Sequence, residues 1–435
     1  MTQEWKHAYL CPRKKTKTNL SMKKRLLLIV WALGVIASAH ALTLEECLQL
    51  ARENYPAIKQ YDLILASKDY DLSNAGKAWL PKLSVEAGAY GFTDILNSNS
   101  MISQMGVDID NYMVSGNVSI KQMVYDGGQT SAGKRVIKAK AEADARQTDV
   151  TLHNVKMRAQ EIFFGILLID EQLRQNDILQ EDLKVSLKTV EDMMQGGIAN
   201  QTDVDALRVE LLNVRQMHDA YEASRTAYLR MLGTFIGKEL SDDTPIEKPL
   251  MTMASRGDAS LRPEMAFFSS QEDILKAQRR RLNSSLLPTV GFVGMGLLHT
   301  QVSDMVNKGM LLGGLSVSWN IGALYTRKND LRKLDVGQRQ NDVQRQTFLF
   351  QNRLQQEETD GTIAALRKQL ESDNEIVRLR ENIRSKADHK VAAGTESVNE
   401  LVRDINAVSR ARGQRAIHEV QLLKAVYELK NLNGN

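Results

Sequence analysis

Few residues in this chain have the spacing of a reactive site. A zinc hydrolase would carry H-E-x-x-H, two imidazoles one helical turn apart. The seven histidines form no such group. A redox or zinc site would carry C-x-x-C, and the two cysteines are Cys11 and Cys47. No G-x-x-x-x-G-K-[ST] loop is present to cradle a phosphate. Gly294-Met295-Gly296 is a fragment of a glycine fingerprint, but it lies in a strand-like run and reads as a barrel-strand position. His299 and Cys47 have no partner by sequence spacing. Catalysis, cofactors and metals thus find no positive support. The residues of interest are instead those at two glycine breaks: Gly197, Thr202 and Asp203, then Gly394, Thr395 and Ser397. Glycine at a helix end permits the left-handed turn of a helical hairpin. Thr202 or Asp203 suits the cap of the returning helix.

The elements that position these breaks occur twice. Ala78-Trp79-Leu80-Pro81-Lys82-Leu83-Ser84-Val85 has its counterpart in Ser285-Leu286-Leu287-Pro288-Thr289-Val290-Gly291-Phe292. Each copy leads into a second strand-like run, a long proline-free polar stretch, a glycine break and another helical run. The seven prolines are at 12, 56, 81, 245, 249, 263 and 288. Proline breaks helix interiors, so two long segments are free to be continuous helix. Val204, Leu207, Leu211 and Val214 recur as Val398, Leu401, Ile405 and Val408, 194 residues later. That spacing is coiled-coil-like and derives both arms from one ancestral unit. Leu83, Val85, Ala87 and Ala89, and later Leu315, Val317, Trp319 and Ile321, alternate with polar or small residues, which predicts strands.

The expected organisation is a signal segment over 1–41, with Met22 as the plausible true start, then a first repeat over 42–240. That repeat holds strands about 82–92 and 113–123, separated by a polar loop of roughly 93–112, and a helical hairpin about 126–237. A linker covers 241–262. The second repeat, 263–435, has strands about 289–299 and 311–321 and a hairpin about 324–430. An amphipathic helix starting at Leu44 is expected to kink at Pro56. Lys23-Lys24-Arg25, the uncharged run from Leu26 to Ser38 and the small residues Ala37, Ala39 and Ala41 have the layout of a secretory signal. Residues 1–25 carry eight basic side chains and one acid, so the chain from residue 42 on has net charge −3 against +4 for the whole. This removes the footing for a nucleic-acid surface. Cys47 alone survives cleavage and has no internal disulfide partner.

Strands of about ten residues suit a tilted membrane crossing, but four strands close no barrel, and an open edge is not tolerated in lipid. Three chains sharing one barrel give twelve strands, with helices of roughly 100 Å standing off one side.

At this point the chain resembles the TolC-type outer-membrane efflux proteins. The resemblance rests on Leu42-Thr43-Leu44-Glu45-Glu46-Cys47-Leu48-Gln49-Leu50-Ala51, on Leu80-Pro81 before the first strand, and on Val118-Ser119-Ile120-Lys121-Gln122-Met123-Val124-Tyr125-Asp126-Gly127-Gly128 before the first long helix. Gly197 through Asp203-Val204 and Ala206, and Gly394-Thr395 through Val398 and Leu401, fit the two hairpin tips. The order and twofold recurrence of these pieces carry it over essentially all of 42–435. The resemblance implies a mainly α fold with transmembrane β: a duplicated β-hairpin plus long antiparallel helical hairpin, in a homotrimer with a 12-stranded barrel and a periplasmic helical tunnel. It further implies a passive, non-enzymatic channel in the cell outer membrane, in contact with lipid, without cofactor or nucleic acid. Its partners would be a periplasmic adaptor and an inner-membrane efflux pump or ABC exporter. The six tip residues would dock the adaptor. Acids just past the second tip would ring the closed aperture: Glu400 holds the first position, Arg403 departs at the second, and Asp404 lies close enough to compensate. A carboxylate ring at a constriction favours cations. The competing class is a periplasmic adaptor or structural coiled-coil protein, which usually has one helical hairpin rather than two in tandem.

Overall fold

A computed structural model describes residues 41–91, 112–251, 257, 259–301 and 308–434. All but the last residue of the signal segment, and nearly all of the 93–112 loop, lie outside the described residues.

Helix α1, Leu44–Asn54, starts at Thr43, whose hydroxyl accepts a hydrogen bond from the Glu46 amide at 3.2 Å. Glu45 and Glu46 in its first turn complement the helix dipole. Pro56 does not kink this helix but ends it. Tyr55 is extended (φ −64°, ψ 130°), as a residue before proline must be, and a 3₁₀ turn over Pro56–Lys59 follows. Helix α2, Gln60–Gly76, then leads to strand β1, Lys82–Gly91, and strand β2, Tyr112–Tyr125.

At the end of β2, Asp126 accepts from the Gly128 amide (2.8 Å) and the Thr130 amide (2.6 Å). Burial pushes its carboxyl pKa up, but the hydrogen bonds from Thr130 and Gly128 outweigh this and hold it below the ordinary value. Gly127 and Gly128 have positive φ, and a Cβ on Gly127 would meet Leu287 at 2.7 Å. From this fixed point runs α3, Gln129–Gln195, of 67 residues, returning as α4, Gln201–Ile236. At 1.5 Å per residue α3 is about 100 Å long. The unit then repeats: α5, Pro263–Ser284; β3, Thr289–Gln301; β4, Lys308–Ser318; α6, Ala323–Ala392, of 70 residues; and α7, Val398–Leu432. Between the copies, part of the linker is held by a parallel bridge from Leu42 to Ile246.

Trp319 and Ile321 lie beyond β4 rather than in it. The strand stops at Ser318, and Trp319 Nε1 donates to the Leu286 carbonyl at 3.0 Å, tying the turn into α6 to the turn before β3. Alternation continues past the strand because this turn has its own apolar side chains.

The four strands form one antiparallel sheet in the order β1-β2-β3-β4. Register divides their side chains into two faces. One carries Lys82, Ser84 and Glu86, then Lys121, Ser119 and Asn117, then Val293, Met295 and Leu297, then Gly314, Leu312 and Met310. The other carries Leu83, Val85, Ile120, Val118, Phe292, Leu298, Leu311 and Leu315. On the central strands the first face is the more covered one, with Ser119 at 6% exposure, Asn117, Val293, Met295 and Leu297 half-buried and Lys121 at its end exposed, while Val118, Ile120 and Leu298 on the second are exposed. The sheet is therefore concave toward the first face.

Packing is concentrated at two levels of the helices. Midway, Leu44, Cys47 and Ala51 of α1 meet Phe163, Phe164 and Ile166 of α3, Leu229 and Leu232 of α4, and Leu423 of α7. Burial raises the Cys47 thiol to about 12, so it is an apolar filler rather than a nucleophile. Phe163 is fully buried. Phe163→Ala is expected to cost about 3–5 kcal/mol, read as a thermal midpoint lowered by several degrees with unchanged helix content by circular dichroism.

Candidate functional site

The second packing level lies at the end of the helices farthest from the sheet. The repeated stripe is buried there: Val204, Leu207, Leu211 and Val214 of α4 and Val398, Leu401 and Ile405 of α7 join Leu183 and Val190 of α3 and Val391 of α6. Both helical hairpins thus share one apolar seam, and their turns come together at its end. The first turn places Gly197 at φ +73°, with the Ile198 amide donating to the Met193 carbonyl at 2.9 Å. The second places Gly394 at φ +70°, with the Thr395 amide donating to the Lys390 carbonyl at 2.9 Å. The turns abut, since a Cβ on Gly394 would stand 3.6 Å from Ile198 Cγ2.

Neither Thr202 nor Asp203 is the cap of α4. Asn200 is, accepting from the Asp203 amide at 3.1 Å, while the Asp203 carboxylate accepts from the Asn200 amide at 3.0 Å. This is a capping box with Asp203 at its third helical position. Thr202 is exposed within the first turn. The helix starts two residues earlier than its apolar period indicates, because Asn is among the strongest N-caps. At the second turn Ser397 is the cap, accepting from the Glu400 amide at 3.3 Å. The Thr395 hydroxyl donates to the Lys390 carbonyl at 3.0 Å, closing the end of α6.

Of the aperture candidates, Glu400 pairs with Arg403 at 3.5 Å, and Asp404 is half-buried. Glu400 is therefore not an isolated negative charge. Its partner is the very residue that breaks the acidic pattern.

Sequence spacing gave no sign of the polar cluster just above the tips. Asp182 of α3 receives Arg384 of α6 at 2.5 Å. Arg412 of α7 pairs with Glu381 at 2.6 Å and lies 3.9 Å from Asp182. Asn406 of α7 donates to Glu210 of α4 at 2.7 Å. The Arg412–Glu381 pair ties α7 to α6 within the second hairpin, while the Asp182–Arg384, Asp182–Arg412 and Glu210–Asn406 contacts span some 200 residues of sequence and join the two hairpins to each other. Asp388 stands 3.8 Å from Arg384. Burial raises its carboxyl pKa most, Arg384 lowers it, Asp182 raises it, and the net direction is upward. Apart from this cluster, His218 pairs with Asp177 at 3.3 Å and lies near Asp219 and Glu222 on the exposed outside of the first hairpin. Among the described residues no helix is long and apolar enough to cross a membrane, which says nothing of a β-barrel.

No family model matches this sequence, and no curated protein matches it. Solved structures do match. The outer-membrane channel OprN aligns at TM-score 0.66 and 16% identity over 90% of each chain. The outer membrane protein VceC of Vibrio cholerae aligns at TM-score 0.63 and 12% identity over 90% of this chain and 96% of its own. The CmeC outer membrane channel of Campylobacter jejuni aligns at TM-score 0.62 and 13% identity, over 90% and 85%. The chain therefore has the fold of these outer-membrane channels. The resemblance to TolC-type proteins read from the sequence, and the duplicated fold it implied, hold at that level.

Two outcomes test the site's local geometry. Asn200→Ala is expected to lose about 1 kcal/mol at the start of α4 and Thr202→Ala much less, seen as faster amide exchange of Asp203 and Val204 in the first variant only. Asp388 has a folded pKa above its ordinary 3.8, so its ionisation opposes folding, and stability is lost as pH rises through that folded value. Asp388→Asn is expected to have the higher thermal midpoint at pH 7, the advantage shrinking toward pH 4.

Proposed function

We propose that three copies of this chain form a channel-tunnel in the cell outer membrane. Residues 1–41 act as the secretory signal of each copy. The twelve strands close one barrel in lipid, and the helices extend into the periplasm. The tunnel is a passive conduit, without catalysis or cofactor, for substrates delivered by an inner-membrane pump or ABC exporter through a periplasmic adaptor. The adaptor meets the tips at Gly197, Thr202, Asp203, Gly394, Thr395 and Ser397. Glu400, Arg403 and Asp404 line the periplasmic aperture, where the Glu400–Arg403 pair makes a mixed-charge ring instead of a doubled acidic one.

One observation carries this reading: the second repeat completes its packing within the chain and the first does not. Helix α5, which precedes β3, packs on α3 of the preceding repeat and also on α6 of its own. Helix α2, its counterpart before β1, packs chiefly on α3, the long helix of its own repeat. The partner it lacks is the α6 of a preceding repeat, which only a second copy supplies. Both surfaces left open are apolar. On α2, Leu63 and Tyr70 stand two turns apart at 68% and 71% exposure. On α6, Val336, Val343, Phe350 and Leu354 form an exposed stripe at heptad-like spacing. The edges of β1 and β4 repeat the same pattern, since each lacks a strand partner among the described residues. A soluble adaptor has no use for a sheet whose convex face exposes Leu83, Val85, Leu298 and Leu311.

The test is conductance of the purified protein in planar bilayers. Discrete steps of uniform size are expected, and Val343→Asp, a charge on the α6 stripe, is expected to abolish them while the chain keeps its helix content. Uniform steps from a variant that is monomeric would sink the assembly argument, and no steps from a correctly extracted wild type would sink the channel.

A further inference from the structure

The two β-hairpins differ on their concave face. On β1 and β2 that face alternates cleanly against an apolar convex face: Lys82, Ser84 and Glu86 oppose Lys121, Ser119 and Asn117. The Ser84 and Ser119 hydroxyls hydrogen-bond across the strands at 2.7 Å. Such a hairpin wets one side and greases the other. On β3 and β4 the alternation is lost. Val293, Met295 and Leu297 share the concave face with Leu312 and Met310, while Phe292, Leu298, Leu311 and Leu315 fill the convex face. Curvature and the polar rows of β1 and β2 mark the concave face as the inner one, so its apolar patch is not facing lipid.

The patch has no cover within the described chain. Met310 is 56% exposed and Leu312 59%. Nor does a neighbouring copy cover it under the trimeric reading, on which this inference rests. There β4 meets the β1 of the next copy edge to edge, which continues the wall and leaves its inner face open. From Val293 to Leu297 the patch rises about 13 Å at roughly 3.3 Å per residue. It carries no charged side chain, whereas the adjoining wall at the same height carries Glu86 and Lys121 paired into the same rows. Below it the inner face returns to Ser316 and Ser318.

We propose that the second hairpin gives the channel wall an apolar belt, formed by Val293, Met295, Leu297, Met310 and Leu312, that contacts passing cargo and favours apolar and amphipathic small molecules. Three such sectors alternate with three polar ones around the lumen. Methionine suits a surface that meets varied shapes, because its unbranched thioether adapts to what it touches. The polar sectors keep the lumen wetted, so the belt selects by transient contact.

Symmetric tetraalkylammonium ions test this, since charge and shape are constant while apolar length grows. In planar bilayers, block of the wild-type channel is expected to strengthen from tetramethyl- to tetrabutylammonium by at least about tenfold, given that burying one methylene favours binding by about fourfold. Met295→Ser with Leu312→Ser is expected to flatten that dependence while leaving the open conductance within about twofold of wild type. Met295→Leu with Leu312→Met is expected to restore it. Block independent of chain length in the wild type, or an unchanged dependence in the serine variant, overturns the belt and leaves the channel standing. Absence of any conductance overturns the channel reading and the belt with it.

Discussion

The architecture depends on the backbone groups along β1 and β4 that no strand among the described residues pairs. A sheet of four strands has two edges, and each edge presents donors and acceptors that water or another strand must satisfy. Here the convex face beside those edges is apolar and exposed, so the surface that avoids water adjoins backbone that cannot enter lipid unpaired. In the proposed assembly, closure with further copies resolves both demands at once. The same proposed closure would give α2 the long helix it lacks and cover the α6 stripe. Two independent parts of the chain thus ask for the same operation.

The far end of the molecule is built on a different balance. The seam of Leu183, Val204, Leu207, Leu401 and Ile405 holds the two hairpins together without direction. The ion pairs and hydrogen bonds among Asp182, Arg384, Arg412, Glu381, Asn406 and Glu210 set how they align. Partly exposed pairs of this kind add little net stability, but Arg384 and Asp182 are mostly covered, and removing one leaves the other short of a partner. The turns themselves are ordinary helix termini. Their side chains serve the backbone first, as Asn200, Asp203, Ser397 and Thr395 show.

Much of this was legible in the residues, because the repeat is periodic. The stripe at Val204 and its copy at Val398 and the proline-free arms each follow one geometric rule and appear at their expected place, as does the strand alternation up to Ser318. Local exceptions were not legible where a nearby residue outcompeted the pattern. Asn200 captured the cap from Thr202 and Asp203, Pro56 ended α1 instead of bending it, and the Trp319 indole belonged to a turn that imitates a strand. The Asp182–Arg384 contact had no signal, since nothing in spacing pairs residues on different hairpins. The apolar inner face of β3 and β4 lay in view, in Val293, Met295 and Leu297, but acquired meaning only once register showed which residues of β2 they stand beside.

The most direct measurement of the central claim is the protein mass of the mature chain extracted in detergent, by light scattering with the detergent contribution removed. Closure of the sheet by identical copies gives the mass of three chains, unchanged on dilution. A single chain that stays soluble once detergent is withdrawn would contradict it, because the open edges and the apolar convex face would then have to be tolerated in water.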